Sequence, residues 1–389
     1  MNHSTPMTPR ERVLTALRHE EPDRVPTALG GGPYGVVDAL YFQLLKGLKL
    51  GDPVPPFRKG HNISYMDDRL LARLGTDTRY VWPGALPNSP SRATSDPETF
   101  IDGYGQTWKR ALPYYYADRG ILEQASSVDD IDRIVQWPNP HDPVWSAGVR
   151  ERAQALHEGT DYFVIGRMVA SHGVFQTACD LRGTQQFLID MASNPAFALH
   201  LLERITHALD GLLKTYLEAG GRYFDLLELP GDDYAGNTNL VMSPAMFRRY
   251  IKPSLLRLTH TIHSYRPDLK VMLHSDGMIE RLLPDLIEVG IDGIHPLEPL
   301  PAMDMAGIKA RLGDRLFFVG GIDIVHALPG SPQDVIDEVK LRITQLGPGG
   351  GYILAPANHI QADVPYENVI ALFEAARKYG QYPLQTLSE

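Results

Sequence analysis

The feature that most constrains this fold is an alternation in the second half of the chain. Short apolar runs, each ending in polar or glycine residues, take turns with longer helical patterns. The runs are Tyr162 to Arg167, Tyr223 to Leu229, Val271 to Leu273, Gly293 to Leu297, Leu316 to Gly321 and Tyr352 to Pro356. Helix starts of the expected chemistry lie between them: Ser243-Pro244 and Ser331-Pro332 each place a capping hydroxyl before a proline. Strands and helices in this order predict parallel strands joined by crossover helices. Residues 24–29 and 78–82 supply two more strands. Eight favour a closed barrel over an open sheet, and no Gly-x-Gly-x-x-Gly follows the first strand to suggest a dinucleotide fold.

The expected architecture is therefore one α/β domain, a single (β/α)8 TIM barrel with an N-terminal helical extension. The extension covers residues 1–22 and the barrel residues 23–380 of the 389. Thr8-Pro9-Arg10-Glu11 reads as a capping box, and Val13, Leu14 and Leu17 mark the apolar stripe of the helix. Residues 33–70 read as helices and loops over one mouth. Residues 84–160, rich in Pro, Asp, Trp and Tyr, fit no single pattern; Pro113-Tyr114-Tyr115-Tyr116 suits a strand, a lid or plain packing equally.

The net charge of −10 makes nucleic acid and anionic lipid poor partners. No apolar run approaches the roughly 20 residues that span a bilayer. The single cysteine, Cys179, rules out an intramolecular disulfide and sits in a helical pattern that suggests packing. A cytoplasmic enzyme is the expectation.

In a barrel of this kind the chemistry sits at the carboxyl ends of the strands. Glu228, Asp232 and Asp233 follow the fourth strand, and His274 and Asp276 the fifth. His295 and Glu298 follow the sixth, Asp323 the seventh, and Asn358 and His359 the eighth. His274 and Asp276, two apart on an extended segment, point to one side. Such a pair suits a zinc ion or general acid–base work; alternatively, His274 merely orders the loop through a carboxylate. His359 converges with His274 if the fifth and eighth strands face each other across the mouth. Glu228 among apolar neighbours needs a partner, which is either a metal or substrate, or an arginine. One of Asp232 and Asp233 is expected to point inward. Pro296 and Pro299 make His295 and Glu298 look like parts of a bend. The glycine runs 30–32 and 349–351 read as tight turns.

Several stretches resemble the uroporphyrinogen decarboxylase superfamily. They are Thr8 to Pro26, Gly231-Asp232-Asp233, Met242 to Pro253, His274 to Gly277, Gly320 to Asp323 and Gly349 to Asn368. The resemblance implies a (β/α)8 barrel, a homodimer, and one of two activities. True uroporphyrinogen decarboxylases carry Arg-Gln-Ala-Gly-Arg after the first strand, where this chain has Leu29-Gly30-Gly31-Gly32-Pro33. The other branch, cobalamin-dependent methyltransferases, moves methyl groups between a small methylated substrate or thiol and a corrinoid on a separate protein. Its zinc site uses His-x-Cys and a later Cys. Here the first motif reads His274-Ser275-Asp276 and the second position falls near Asn358-His359, so both thiolates are missing.

The resemblance thus implies a methyltransferase of atypical zinc ligation, with a decarboxylase of a small or tetrapyrrole acid as the alternative. Its metal ligands would be His274, Asp276, Glu228 and His359. Asp232, Asp233 and Asn358 would act as catalytic groups, and Arg167, Tyr234 and Glu298 would contact a small methylated substrate. The chain has no Asp-x-His-x-x-Gly corrinoid signature, so the corrinoid would arrive on a partner protein.

Overall fold

A computed structural model describes residues 6–53, 66–85, 90–111, 114–167 and 169–384. Residues 54–65, within the stretch expected over the mouth, and Pro113 lie outside the described residues.

The strands, in chain order, are β1 (Thr78–Val81), β2 (Pro90–Ala93), β3 (Thr99–Asp102), β4 (Thr107–Ala111) and β5 (Tyr114–Ala117). There follow β6 (Phe163–Arg167), β7 (Leu226–Glu228), β8 (Lys270–His274), β9 (Gly293–His295), β10 (Phe317–Ile322) and β11 (Tyr352–Pro356). Seven of them form one parallel sheet in the order β1-β6-β7-β8-β9-β10-β11. Residues 24–29 close it. The Leu354 amide donates to the Pro26 carbonyl at 2.9 Å and Ala28 returns a bond to Leu354 at 3.0 Å, while the Asp77 amide donates to Thr27 at 2.9 Å on the other edge. The expected eight-stranded barrel is therefore observed, its first strand held by two backbone bonds on one side and one on the other. Strands β6, β7, β9, β10 and β11 are buried along their whole length. Helices cover one side and packed side chains the other, which is why these strands appear in the sequence as unbroken apolar runs.

The outer layer follows its start signals. Ser243 and Ser331 cap the helices Pro244–Tyr250 and Pro332–Leu346. The amphipathic helix Pro195–Gly220 packs against Lys252–Tyr265. The N-terminal helix spans Pro9–Leu17 with the full Thr8–Glu11 capping box. Val13 and Leu17 face inward as expected, but Leu14 is exposed and Arg12 is buried. Arg12 reaches Asp23 at 2.6 Å and Asp77 at 2.7 Å, tying the helix to the base of the first strand by ion pairs.

Residues 90–111 and 114–117 form a separate four-stranded antiparallel sheet, order β2-β3-β4-β5. Tyr114, Tyr115 and Tyr116 form its last strand, and with Trp108 they wall the barrel mouth. Among the described residues no helix is long and apolar enough to cross a membrane.

Candidate active site

A cavity of about 760 Å³ opens at the carboxyl ends of the strands, within the range of small-molecule sites. Its lining includes Arg167, Asp233, His274, Asp276, Glu298, Asp323, Asn358 and His359 from the strand ends, and His172, Gln176 and Asp180 from the segment after β6.

Three ligand atoms converge there. Side-chain atoms of Asp233, His274 and Asp276 all lie within 4.8 Å of one another. His274 Nε2 is 3.6 Å from Asp233 Oδ1 and 3.6 Å from Asp276 Oδ2. The alternation after β8 is as expected. His274 and Asp276 face the cavity, and the intervening Ser275 turns into the protein, where its hydroxyl accepts the Tyr234 amide at 3.1 Å.

Neighbouring bonds fix the protonation of His274. His295 Nε2 lies 3.0 Å from the Pro356 carbonyl, which can only accept, so Nε2 carries the hydrogen. Full burial pushes the His295 pKa well below that of an ordinary imidazole, with the neighbouring His274 adding to the effect, so His295 is neutral and its Nδ1 accepts. The contact of 2.9 Å between His274 Nδ1 and His295 Nδ1 then requires His274 Nδ1 to donate. Burial lowers the His274 pKa as well. Neutral His274 therefore turns the lone pair of Nε2 toward two carboxylates.

That arrangement invites a cation. Asp276 Oδ1 is buried without a hydrogen-bond partner. Burial, together with Asp233 and Glu298, raises the Asp276 carboxyl well above the usual range. Its other oxygen accepts Asn358 Nδ2 at 2.5 Å, and its amide donates to Asp233 Oδ1 at 3.0 Å. A lone pair, two carboxylates and an orphaned oxygen form a donor set that fits a divalent metal, with harder ligands than thiolates.

The remaining expected residues take different places. Glu228 is fully buried but is absent from the converging atoms. Its register partner in the β6–β7 pairing is Arg167. Arg167 Nε lies 3.7 Å from Glu228 Oε1, and the other oxygen accepts the Gly32 amide and the Tyr34 hydroxyl, each at 3.3 Å. Burial raises the Glu228 pKa and Arg167 opposes the rise. This arginine pairing replaces the metal role expected of Glu228.

His359 lines the cavity, but its Nδ1 accepts the Gly35 amide at 3.1 Å, and it too lies outside the cluster. Asp233, expected as a catalytic group, supplies the third converging atom instead. Asp232 does not face the cavity, because its oxygens accept the amides of Phe175 (3.0 Å) and Gln176 (2.8 Å) and the Tyr234 hydroxyl (3.0 Å). It is a staple on the first turn of helix Val174–Arg182, its carboxyl pushed up to about 7 by burial. Tyr234 is buried behind the wall with it and does not line the cavity, contrary to the expected substrate contact. Glu298 accepts the Gly277 amide at 2.7 Å and borders the cluster. Cys179 is buried, and burial pushes its thiol well up, which suits packing.

Sequence reasoning misses His172 and Asp180. His172 Nδ1 lies 2.7 Å from Asp180 Oδ2. The available signal was their place after the third barrel strand, where side chains reach the mouth.

The sequence model described as "Uroporphyrinogen decarboxylase (URO-D)" matches residues 121–379. Among curated relatives, a uroporphyrinogen decarboxylase of Thermus thermophilus is 33 % identical over 172 residues, 43 % of this chain and 45 % of that protein. One of Psychromonas ingrahamii is 36 % identical over 66 residues, 17 % of this chain and 18 % of that protein. The chain thus spans less than half the length of these relatives. Among solved structures, a methyltransferase from Methanosarcina mazei superposes with a TM-score of 0.61 at 21 % identity, over 96 % of this chain and 99 % of that one. At that identity the likeness speaks for the fold.

Proposed function

Since the chain belongs to the uroporphyrinogen decarboxylase family, and its mouth gathers metal donors where a decarboxylase would need cations, we propose that it is a methyltransferase. It moves a methyl group between a small methylated substrate, ethers included, and a corrinoid carried on a separate protein. The observation that carries this reading is the His274 Nε2 lone pair facing Asp233 and Asp276 at 3.6 Å each.

Electrostatics separates the two family activities. Among the described residues, five carboxylates line the cavity (Asp180, Asp233, Asp276, Glu298 and Asp323) against one guanidinium, Arg167, which Glu228 already engages. A polyanionic tetrapyrrole would meet like charge there. The segment where the decarboxylases place arginines is Gly30-Gly31-Gly32, whose Gly32 amide is turned to Glu228.

A zinc or similar divalent ion held by Asp233, His274 and Asp276 would supply a Lewis acid for the substrate heteroatom. The protein's own groups do the rest. His295 holds the His274 tautomer, Asn358 and the Asp276 backbone orient the carboxylates, and Glu298 fixes the Gly277 turn. Trp108 and Tyr114 to Tyr116 line the mouth with aromatic surface. A reduced corrinoid partner suits a cytoplasmic setting.

The test uses the full-length protein. Metal analysis should find about one ion per chain, lost in His274→Ala, Asp276→Asn and Asp233→Asn and kept in Glu228→Gln and His359→Gln. Free cobalamin, reduced and mixed with methoxy, methylthio and methylamino compounds, should be methylated by the metal-loaded protein alone. A metal-free protein that consumes uroporphyrinogen would overturn the reading.

A further inference from the structure

The cavity holds a second polar group that the metal cluster does not use. His172 Nδ1 lies 2.7 Å from Asp180 Oδ2, and the other Asp180 oxygen accepts Gln176 Nε2 at 3.0 Å. Helix Val174–Arg182 carries both Gln176 and Asp180, one turn apart, so the carboxylate is held on a rigid element. An ionised Asp180 can only accept, so His172 Nδ1 donates and Nε2 holds the ring's lone pair when His172 is neutral. An imidazole oriented by a carboxylate in this way is the base–orienter half of a catalytic triad.

The pair belongs to the same reaction space as the metal donors. The His172 backbone bridges to Gly231, and the Gly173 amide donates to the Gly231 carbonyl at 2.7 Å. A Cβ on Gly231 would come within 2.7 Å of the His274 ring, so the backbone of His172 runs beside the glycine that packs against His274. Above the pair stands Trp108, its ring centroid 5.8 Å from that of His172 and its indole N–H anchored on Asp102 at 2.8 Å. His172 keeps 28 % of its side chain exposed, and that exposure is to the cavity it lines.

We infer that His172, positioned by Asp180, is the proton donor and acceptor for the substrate heteroatom. The inference rests on the methyltransferase reading for its reaction. In demethylation the bond from methyl carbon to heteroatom breaks and its electron pair stays on the heteroatom. The methyl group passes to the corrinoid acceptor, and the heteroatom takes the Nε2 proton of protonated His172, which is left neutral. In the reverse direction neutral His172 removes the proton from the acceptor's heteroatom as its bond to the methyl carbon forms.

The test separates this role from that of the metal by using 4-nitrophenol, whose ionisation is visible. Full-length wild type, His172→Gln and Asp180→Asn are titrated with the probe across pH, before and after chelation. The expected result is a bound probe whose ionisation midpoint lies below its solution value in the wild type. Part of that shift should survive chelation, and the surviving part should vanish in His172→Gln and shrink in Asp180→Asn. Gln can still donate to Asp180, so folding is preserved, and circular dichroism checks it. If the shift is lost on chelation and kept in His172→Gln, the metal acts on the heteroatom and the inference falls while the methyltransferase reading stands. No binding, or an equal shift in all variants, also overturns it. A His172-dependent shift in a protein that methylates no cobalamin keeps the pair and removes the methyltransferase. With a working methyl donor, His172→Gln should lower kcat by roughly 10²–10⁴-fold, with a loss that steepens as the heteroatom becomes more basic.

Discussion

His295 neither lines the cavity nor supplies a proposed ligand atom, yet its replacement by phenylalanine should weaken metal binding. In the wild type it passes a hydrogen-bond chain from the Pro356 carbonyl (3.0 Å) to His274 Nδ1 (2.9 Å). Phenylalanine fills the same buried slot, where Tyr34 lies 4.6 Å away ring to ring. It can neither donate nor accept. The His274 Nδ1 hydrogen loses its acceptor, and nothing then favours the tautomer that leaves Nε2 bare. Loss of such an orienting partner costs about 10–100-fold in metal affinity, or about 1.4–2.7 kcal/mol. The Pro356 carbonyl and His274 Nδ1 are also left unpartnered, at about 1–3 kcal/mol of folding stability each. The affinity is measured by competition between apo protein and a chromophoric zinc chelator, and the stability by urea unfolding of the apo form. His295→Gln, whose amide can donate and accept, should recover part of both. A folded His295→Phe protein that holds zinc within about twofold of the wild type would refute the tautomer argument.

Two further outcomes follow from the site's charges. Asp276 has its carboxyl raised by burial and by Asp233 and Glu298, so the metal-free protein holds that proton to higher pH than an ordinary carboxyl does, and over that range binding must expel it; zinc affinity should rise with pH by up to about tenfold per unit until Asp276 ionises. The same raised value means that Asp276 contributes fully to apo stability below the ordinary carboxylate pKa and loses that contribution as pH climbs through the folded value; the apo melting temperature should fall across that window, metal should abolish the fall, and Asp276→Asn should remove both trends. Asp232→Ala strands three donors (the Phe175 and Gln176 amides and the Tyr234 hydroxyl) and should cost about 2–5 kcal/mol in urea unfolding while leaving zinc affinity unchanged; a loss of metal without a loss of stability would contradict its structural assignment.

What the sequence makes legible follows from burial. β6 and β8 to β11 stand out because buried parallel strands leave continuous apolar runs such as Phe163–Arg167 and Tyr352–Pro356. The sheet from Pro90 to Ala117 does not, because its strands are four or five residues long and its last two, Thr107–Ala111 and Tyr114–Ala117, are mostly only partly covered. Short half-covered strands carry neither an apolar run nor a clean alternation. Spacing alone reveals His274 and Asp276 as a pair, since two residues on an extended segment share a side. It cannot choose between Asp232 and Asp233, which point opposite ways from one turn; the choice is made by the amides at the start of helix Val174–Arg182, which claim Asp232. It cannot pair Glu228 with Arg167 either, because their contact depends on the parallel register of β6 and β7.

These placements explain how one mouth can hold so many ionisable groups without all of them serving the chemistry. Burying a carboxylate is unfavourable unless something answers its charge. Asp232 is answered by a helix start and a tyrosine hydroxyl, Glu228 by a guanidinium, and Asp180 by an imidazole and an amide. Each of those answers lies within the chain. Asp276 differs: one oxygen has Asn358, the other has neither a hydrogen bond nor a cation such as Arg167 gives Glu228 Oε1 at 3.7 Å, and beyond it stand a second carboxylate and an imidazole lone pair. A ring of charges in a sequence therefore does not mark a site by its density. The site is where the protein's own hydrogen bonds run out, and here that place is bounded by Asp233, His274 and Asp276.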